Sequence, residues 1–229
     1  MGEGSTRNWS ASVCHAVGVV KLIARPCMLA CTLFFTLSIH AQNDLMTSKS
    51  QSTAVETITL AAGCFWCVEA VFENLEGVTS AVSGYMGGSI KNPSYREVCS
   101  GRTGHAEVVQ VVYDPSMITT STLLEVFFAT HDPTTLNRQG ADAGTQYRSA
   151  IFFHNEQQKS DAVNAIQKAG AIWRNAIVTE VTAASELYIA EDYHQAYYEL
   201  NGEAPYCRAV ILPKMKKLQS SFNHLLKIR

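Results

Sequence analysis

The chain has 229 residues, 47% hydrophobic and 17% charged, with 18 basic against 20 acidic side chains and a formal charge of -2. It is long and apolar enough to build a real core, and it has no basic excess with which to hold nucleic acid. Seven cysteines are too few for a disulfide scaffold at this length, and 14 glycines with 6 prolines exclude collagen-like or low-complexity material.

Residues 1–26 carry Arg7, Lys21 and Arg25 against the single acid Glu3, and 27–39 are apolar and uncharged. Ala41 follows, then the polar Gln42-Asn43-Asp44. A positive start, a short apolar run and a small residue at a cut site describe a secretory signal, or an N-terminal anchor, over 1–41. The run is shorter than the roughly 20 apolar residues of a spanning helix. This pattern predicts an extracytoplasmic protein, periplasmic or secreted. Residues 42–56, small and polar, read as a linker, and 57–229 as a single catalytic domain.

Within that domain, Thr57–Ala61 alternates and is β-branched, which predicts a strand that Gly63 stops. Apolar residues at 64, 67, 68, 71, 72 and 75 have helical spacing. Val78–Tyr85 predicts a strand, followed by a loop rich in glycine. His105–Tyr113 predicts a strong strand closed by Asp114-Pro115, and Thr120–Thr130 a helix. His131–Thr145 reads as an ordered polar loop. Gln146–Phe153 and Ile177–Val181 read as strands. Asn155–Gly170, Glu191–Leu200 and Pro213–Leu226 read as helices. Strands interleaved with helices predict an α/β (α+β) layered domain.

The chemistry concentrates at Gly63-Cys64-Phe65-Trp66-Cys67. Two cysteines at i and i+3 follow a strand and a glycine and open a helix. The first N–H groups of a helix have no internal partner and carry positive partial charge. A thiolate there is stabilised, so the Cys64 thiol is expected to ionise easily. Cys67 lies one turn on, within reach of a disulfide. Phe65 and Trp66 set two aromatic surfaces beside the sulfur, suited to a small apolar group such as a methyl. A zinc site would need a second closely spaced pair; Cys99 and Cys207 stand alone, so no metal is expected. From C-x-x-C alone, a thiol–disulfide oxidoreductase using the Cys64/Cys67 dithiol is the competing reading.

Further motifs follow in order. They are Gly84-Tyr85-Met86-Gly87-Gly88, Asn92-Pro93-Ser94-Tyr95, Gly104-His105-Ala106-Glu107-Val108-Val109, Gly144-Thr145-Gln146-Tyr147-Arg148-Ser149 and Glu191-Asp192-Tyr193-His194-Gln195. Together with Gly63-Cys64-Phe65-Trp66, they closely resemble the peptide methionine-S-sulfoxide reductase family, over about residues 57–210. The resemblance implies a two-layer ferredoxin-like sandwich, with a mixed sheet and flanking helices. It also implies thiol-dependent reduction of the S-epimer of methionine sulfoxide, protein-bound or free, without a bound cofactor. Cys64 matches the nucleophile, which passes through a sulfenic acid to a disulfide recycled by a thioredoxin-like reductant. Phe65 and Trp66 match the walls of the methyl pocket and Glu107 the acid that protonates the sulfoxide oxygen. Tyr95 and Tyr147 match the hydroxyls that hold this oxygen, and Asp142 a polar residue beside the pocket. An acid in an aromatic, water-poor pocket keeps its proton near neutral pH, which agrees with that role for Glu107.

The chain departs from the family at its resolving thiol. Many members carry glycine where Cys67 stands and resolve with cysteines on a Gly-rich tail. Here Pro205-Tyr206-Cys207 leads into a basic, helix-like end. Cys67 is favoured, because its i+3 placement needs no long loop movement, and Cys207 comes second. Cys99 is expected to be structural, His194 to be a satisfied structural histidine, and the protein to be a monomer.

Overall fold

The structure is a computed structural model that describes residues 54–228. The expected signal or anchor (1–41) and most of the linker lie outside the described residues.

The first strand, β1 (Glu56–Ala62), runs directly into α1 (Phe65–Glu73), and β2 (Val78–Met86) returns. A short helix, α2 (Tyr95–Cys99), precedes β3 (Ala106–Tyr113), which leads to α3 (Thr120–Thr130). The polar loop expected after α3 contains a two-residue hairpin, β4 (Arg138–Gln139) with β5 (Asp142–Ala143). Then come β6 (Ser149–Phe153), α4 (Glu156–Gly170), β7 (Glu180–Ala183) and β8 (Tyr188–Ile189). Residues 191–200, expected as one helix, form a 3-10 turn (Asp192–His194) and the single turn α5 (Tyr197–Leu200). The chain closes with a π turn (Cys207–Ile211) and α6 (Leu212–Phe222).

Local chemistry explains several boundaries. Thr119 caps α3 by accepting the Thr122 N–H at 3.2 Å, and Asn155 caps α4 by accepting the Gln158 N–H at 2.8 Å. Ser94 and Glu97 form a reciprocal capping box that starts α2.

The main sheet has the order β7-β6-β1-β3-β2-β8. Only β6 and β7 pair in parallel; β6, β1, β3, β2 and β8 pair antiparallel. The core β1-α1-β2-β3-α3-β6 is the ferredoxin-like arrangement of two interlocked split βαβ units, extended by β8 at one edge and β7 at the other. Period-2 alternation divides the apolar side chains between the faces. Ile58, Leu60, Val109, Val111 and Tyr113 join Phe72, Leu124, Phe127, Ala162 and Leu218 of the helices in the main core. Ala61, Met86, Ala106, Val108, Ala150 and Phe152 make a smaller cluster on the opposite face.

The turn from β1 into α1 depends on Gly63, which has φ +91. A Cβ there would lie 2.6 Å from the side chain of Gln139 in β4. Gln139 is itself held, donating to the Asp132 carbonyl at 3.0 Å and accepting the Asp132 N–H at 3.2 Å. Gly63→Ala therefore meets both a left-handed backbone and a fixed neighbour. It is expected to cost about 1–3 kcal/mol, read as a lower midpoint in urea unfolding; an unchanged midpoint would mean that the hairpin yields freely.

Candidate active site

Cys64 is the N-cap of α1, one residue before the helix proper. It makes no side-chain capping bond. The first amide of the helix goes elsewhere: Phe65 N–H donates to Glu107 Oε2 at 3.0 Å. Glu107 is the second residue of β3, on the same face as Val109 and Val111, so alternation carries its carboxyl under the helices. It is 1% exposed. Burial pushes its carboxyl up to about 8, with the Phe65 N–H pulling the other way and Asp142 and Cys67 adding to the rise. At neutral pH this side chain is an acid holding its proton.

The two thiols are hydrogen-bonded to each other. The Cys64 thiol is pushed well up, first by its bond to Cys67, then by burial and the Glu107 carboxyl. Cys67 is lowered to about 7, first by that bond from Cys64 and, against burial, by Lys214. The expectation that Cys64 is the readily ionised thiol is therefore corrected. The physical reason is that Glu107 takes the helix amide and adds an acidic neighbour, while Cys67 accepts the Cys64 proton in a hydrogen bond. Cys67 Sγ also lies 3.8 Å from the Tyr206 hydroxyl, which donates to Asp142 Oδ2 at 2.8 Å. The β4–β5 hairpin and the turn before α6 thus meet at the thiol pair.

Aromatic rings wall the other side. Phe65 is buried, 5.9 Å from Tyr85, 6.5 Å from Tyr95 and 4.9 Å from His194 between ring centroids. Trp66, partly buried, stacks on Tyr197 at 3.6 Å with planes 6° apart. Tyr95 and Tyr147 are half-buried and feel the charge of Glu107; Tyr147 also feels Asp142 and Cys64. Burial is the first cause that pushes both phenols up, so both keep their O–H across the physiological range. Two placements differ from expectation. Tyr95 opens α2 instead of lying in a loop, because the Ser94–Glu97 box starts a helix there. Tyr147 lies in a 3-10 turn (Thr145–Tyr147) before β6 instead of on the strand.

Sequence reasoning missed the supports beneath these rings. Glu191 accepts the Tyr85 O–H and the Tyr95 N–H, both at 2.9 Å. Trp66 Nε1–H donates to His194 Nδ1 at 3.2 Å, so the imidazole proton is on Nε2. Nε2 is buried without a hydrogen-bond partner, 4.0 Å from Glu191 Oε2. His194 therefore braces the tryptophan and is not fully satisfied. Ala196, left-handed at φ +49, donates its N–H to Glu69 Oε1 at 2.9 Å, and Glu69 also accepts the Ser83 O–H at 3.0 Å. The motif Glu191–Gln195 was visible as a string; its roles depend on backbone and side-chain groups more than 90 positions away.

The four described cysteines are free. Cys99, at the end of α2, is exposed, and its thiol is hydrogen-bonded to Tyr95. Cys207 is buried in the π turn, near enough to Cys67 to feel its charge. Among the described residues no group of three His, Cys, Asp or Glu is placed to hold a metal ion.

A family model described as peptide methionine sulfoxide reductase matches residues 56–226. The peptide methionine sulfoxide reductase MsrA 1 of Rhodopirellula baltica is 55% identical over 172 residues, covering 75% of this chain and 90% of that protein. The MsrA of Chromobacterium violaceum is 53% identical over 174 residues, covering 75% and 99%. Among solved structures, Mxr1 of Saccharomyces cerevisiae in reduced form is similar with TM-score 0.63 and 36% identity, over 71% of this chain and 94% of that one. Methionine sulfoxide reductase A of Corynebacterium diphtheriae is similar with TM-score 0.60 and 38% identity, over 68% and 78%.

The raised carboxyl has a consequence for stability. Glu107 titrates near 4.5 when unfolded and near about 8 when folded. Between those values the folded chain holds a proton that the unfolded chain has lost, so stability drains away as pH rises through that window. Glu107→Gln removes this loss. Relative to the native chain, the variant is expected to gain in urea midpoint from about pH 5 to about pH 8; a difference that stays constant would show that the carboxyl is not raised.

Proposed function

The chain belongs to the peptide methionine sulfoxide reductase family, and from that premise we propose how its residues divide the reaction. It reduces the S-epimer of methionine sulfoxide to methionine by thiol chemistry, with a thioredoxin-type dithiol as the external reductant. Phe65 and Trp66 receive the sulfoxide methyl group. Tyr95 and Tyr147 hold the oxygen with O–H groups that remain protonated. Asp142 anchors Tyr206 at the rim.

Cys64 attacks the sulfoxide sulfur while Glu107 gives its proton to the oxygen. The proton that Cys64 loses replaces the one Glu107 has given. The hydroxyl passes from the methionine sulfur to the Cys64 sulfur as the S–O bond to methionine and the transient sulfur–sulfur bond break, so that methionine departs with the electron pair and Cys64 is left as a sulfenic acid. Cys67 then displaces the hydroxyl, which leaves as water, and a Cys64–Cys67 disulfide forms. An incoming dithiol reduces that bond by exchange and leaves as its own disulfide. The single observation that carries this reading is the buried Glu107 carboxyl, raised to about 8 and tied to the first amide of the helix that Cys64 caps. An acid so placed is still protonated where a thiol must react.

Three further readings belong to this proposal. The hydrogen bond between the two thiols favours Cys67 as the resolving cysteine, with Cys207 second. The charge and apolar pattern of 1–41 supports export and an extracytoplasmic site of repair, tested by N-terminal sequencing of native protein. A monomer is expected by light scattering.

Glu107→Gln is expected to lower single-turnover methionine release by about 10²–10⁴-fold, and the native rate to fall above about pH 8 as Glu107 ionises. Retention of the native rate by the glutamine variant would sink the assigned acid. Cys64→Ser should abolish consumption of the S-epimer. After one turnover without reductant, peptide mapping should find Cys64 bonded to Cys67; a Cys64–Cys207 bond with Cys67 free would transfer the resolving role.

A further inference from the structure

Cys67 faces a second compartment that the first chemical step does not use. A cavity of about 10 Å³ is lined by Cys67, Val71, Phe72, Thr130, His131 and Lys214, among others. Cys64 is not part of its lining. That volume suits about one water molecule. Lys214 reaches it from the first turn of α6 and is half-buried. His131 is buried, donates from Nδ1 to the Phe127 carbonyl at 2.6 Å, accepts the Ser149 O–H at Nε2 at 2.8 Å, and is lowered to about 4, chiefly by burial. At neutral pH the histidine is therefore uncharged. Among the described residues lining the cavity, Lys214 alone carries positive charge.

We infer that Lys214 is a positioning residue for the second chemical step, its ammonium holding Cys67 as the thiolate that attacks oxidised Cys64. The inference rests on the reading of Cys67 as the resolving cysteine. In the reduced protein the largest influence that lowers Cys67 is the hydrogen bond from the Cys64 thiol. Oxidation of Cys64 removes that thiol proton just before Cys67 must react. The groups then facing Cys67 come from every element around it. Glu107 of β3 and Asp142 of β5 are acids; Tyr206 and Cys207 lie in the turn before α6; His131 follows α3; Lys214 lies on α6, with Lys217 farther along the same helix. Asp142 and burial oppose a Cys67 thiolate, while Lys214 and the Tyr206 hydroxyl support it. Of these supports only Lys214 has a full charge. In the step itself, the Cys67 electron pair forms the S–S bond, the Cys64 S–O bond breaks, and the departing hydroxide takes a proton to become water. In this step the oxidation is shared between the two sulfurs, Cys67 rising one level as Cys64 falls one; the two electrons that the thiol pair loses over both steps have gone to the sulfoxide sulfur, which leaves as the thioether.

The test compares Lys214→Met and Lys214→Arg in the full chain. In a Cys64→Ser background, peptide mass spectrometry follows alkylation of Cys67 against pH. The methionine variant is expected to raise the Cys67 midpoint by about 1 pH unit, and the arginine variant to restore it. With Cys64 present and methionine-S-sulfoxide as substrate, Lys214→Met should slow disulfide formation near neutral pH about fivefold more than it slows methionine release. An unmoved midpoint, or equal slowing of both steps, would overturn the role; if Lys214→Met fails to fold, Lys214→Gln serves for the same readings. Cys67→Ser separates the two levels. If it leaves disulfide formation intact, the reading of Cys67 itself falls. If it stops disulfide formation while the lysine variants change nothing, only the role of Lys214 falls.

Discussion

One hydrogen bond holds the site together: the N–H of Phe65, the first amide of α1, given to the carboxyl of Glu107. A helix start has amides with no partner of their own, and a side chain at the N-cap ordinarily takes one. Here the N-cap is Cys64, whose sulfur makes no such bond. The strand below supplies the acceptor instead. The same bond therefore joins α1 to β3, gives a buried carboxyl its partner, and keeps an acid beside the nucleophilic sulfur. Burial of Glu107 outweighs the pull of that amide, so the carboxyl remains a proton donor at neutral pH. A stronger donor set would have made it an ordinary carboxylate with no proton to give.

The thiol pair follows from this arrangement. With the helix amide committed to Glu107, the Cys64 sulfur is not the more acidic of the two; it keeps its proton and shares it with Cys67. Cys67 is linked on one side to Tyr206 and Asp142 and on the other to the small cavity with His131 and Lys214. Neighbouring sulfurs on one helix turn thus stand in different electrostatic surroundings. The acidic side belongs to oxygen removal, and the side facing α6 belongs to the closing of the disulfide.

The aromatic wall also depends on polar groups beneath it. Rings that receive a small apolar group need fixed positions, and stacking alone leaves them free to slide. Glu191 pins Tyr85 and the backbone of Tyr95, His194 takes the indole N–H of Trp66, and Glu69 holds the left-handed Ala196 that carries the chain to Tyr197. A run of seven residues, 191–197, thereby underpins the wall from behind. The buried carboxyl of Glu69 on α1, raised chiefly by burial, and the unpartnered His194 nitrogen are the energetic costs of that support.

Period and punctuation made most of the elements legible. Alternation in Thr57–Ala61 and His105–Tyr113, helical spacing after Gly63, and the boundaries of Thr120–Thr130 all survive in the structure. Where short-range chemistry competed, they were less informative. Tyr95 is helical because Ser94 and Glu97 cap each other, and residues 191–200 break because the Gln195 side chain bonds to β2 and the Ala196 N–H to Glu69 of α1 rather than along their own backbone. The residues of the site were readable as motifs, because each motif is local. Their acidities were not, because an acidity is set by burial and by charges from other parts of the chain. By itself, the order of residues determined that a cysteine pair would open a helix, flanked by two aromatic rings, in an α+β domain. Only the tertiary structure decided that Glu107 takes the helix amide, that Cys67 rather than Cys64 is lowered, and that Lys214 lies across a cavity from it. The first of those choices is made by a contact spanning 42 positions, and chain order does not encode distance in space.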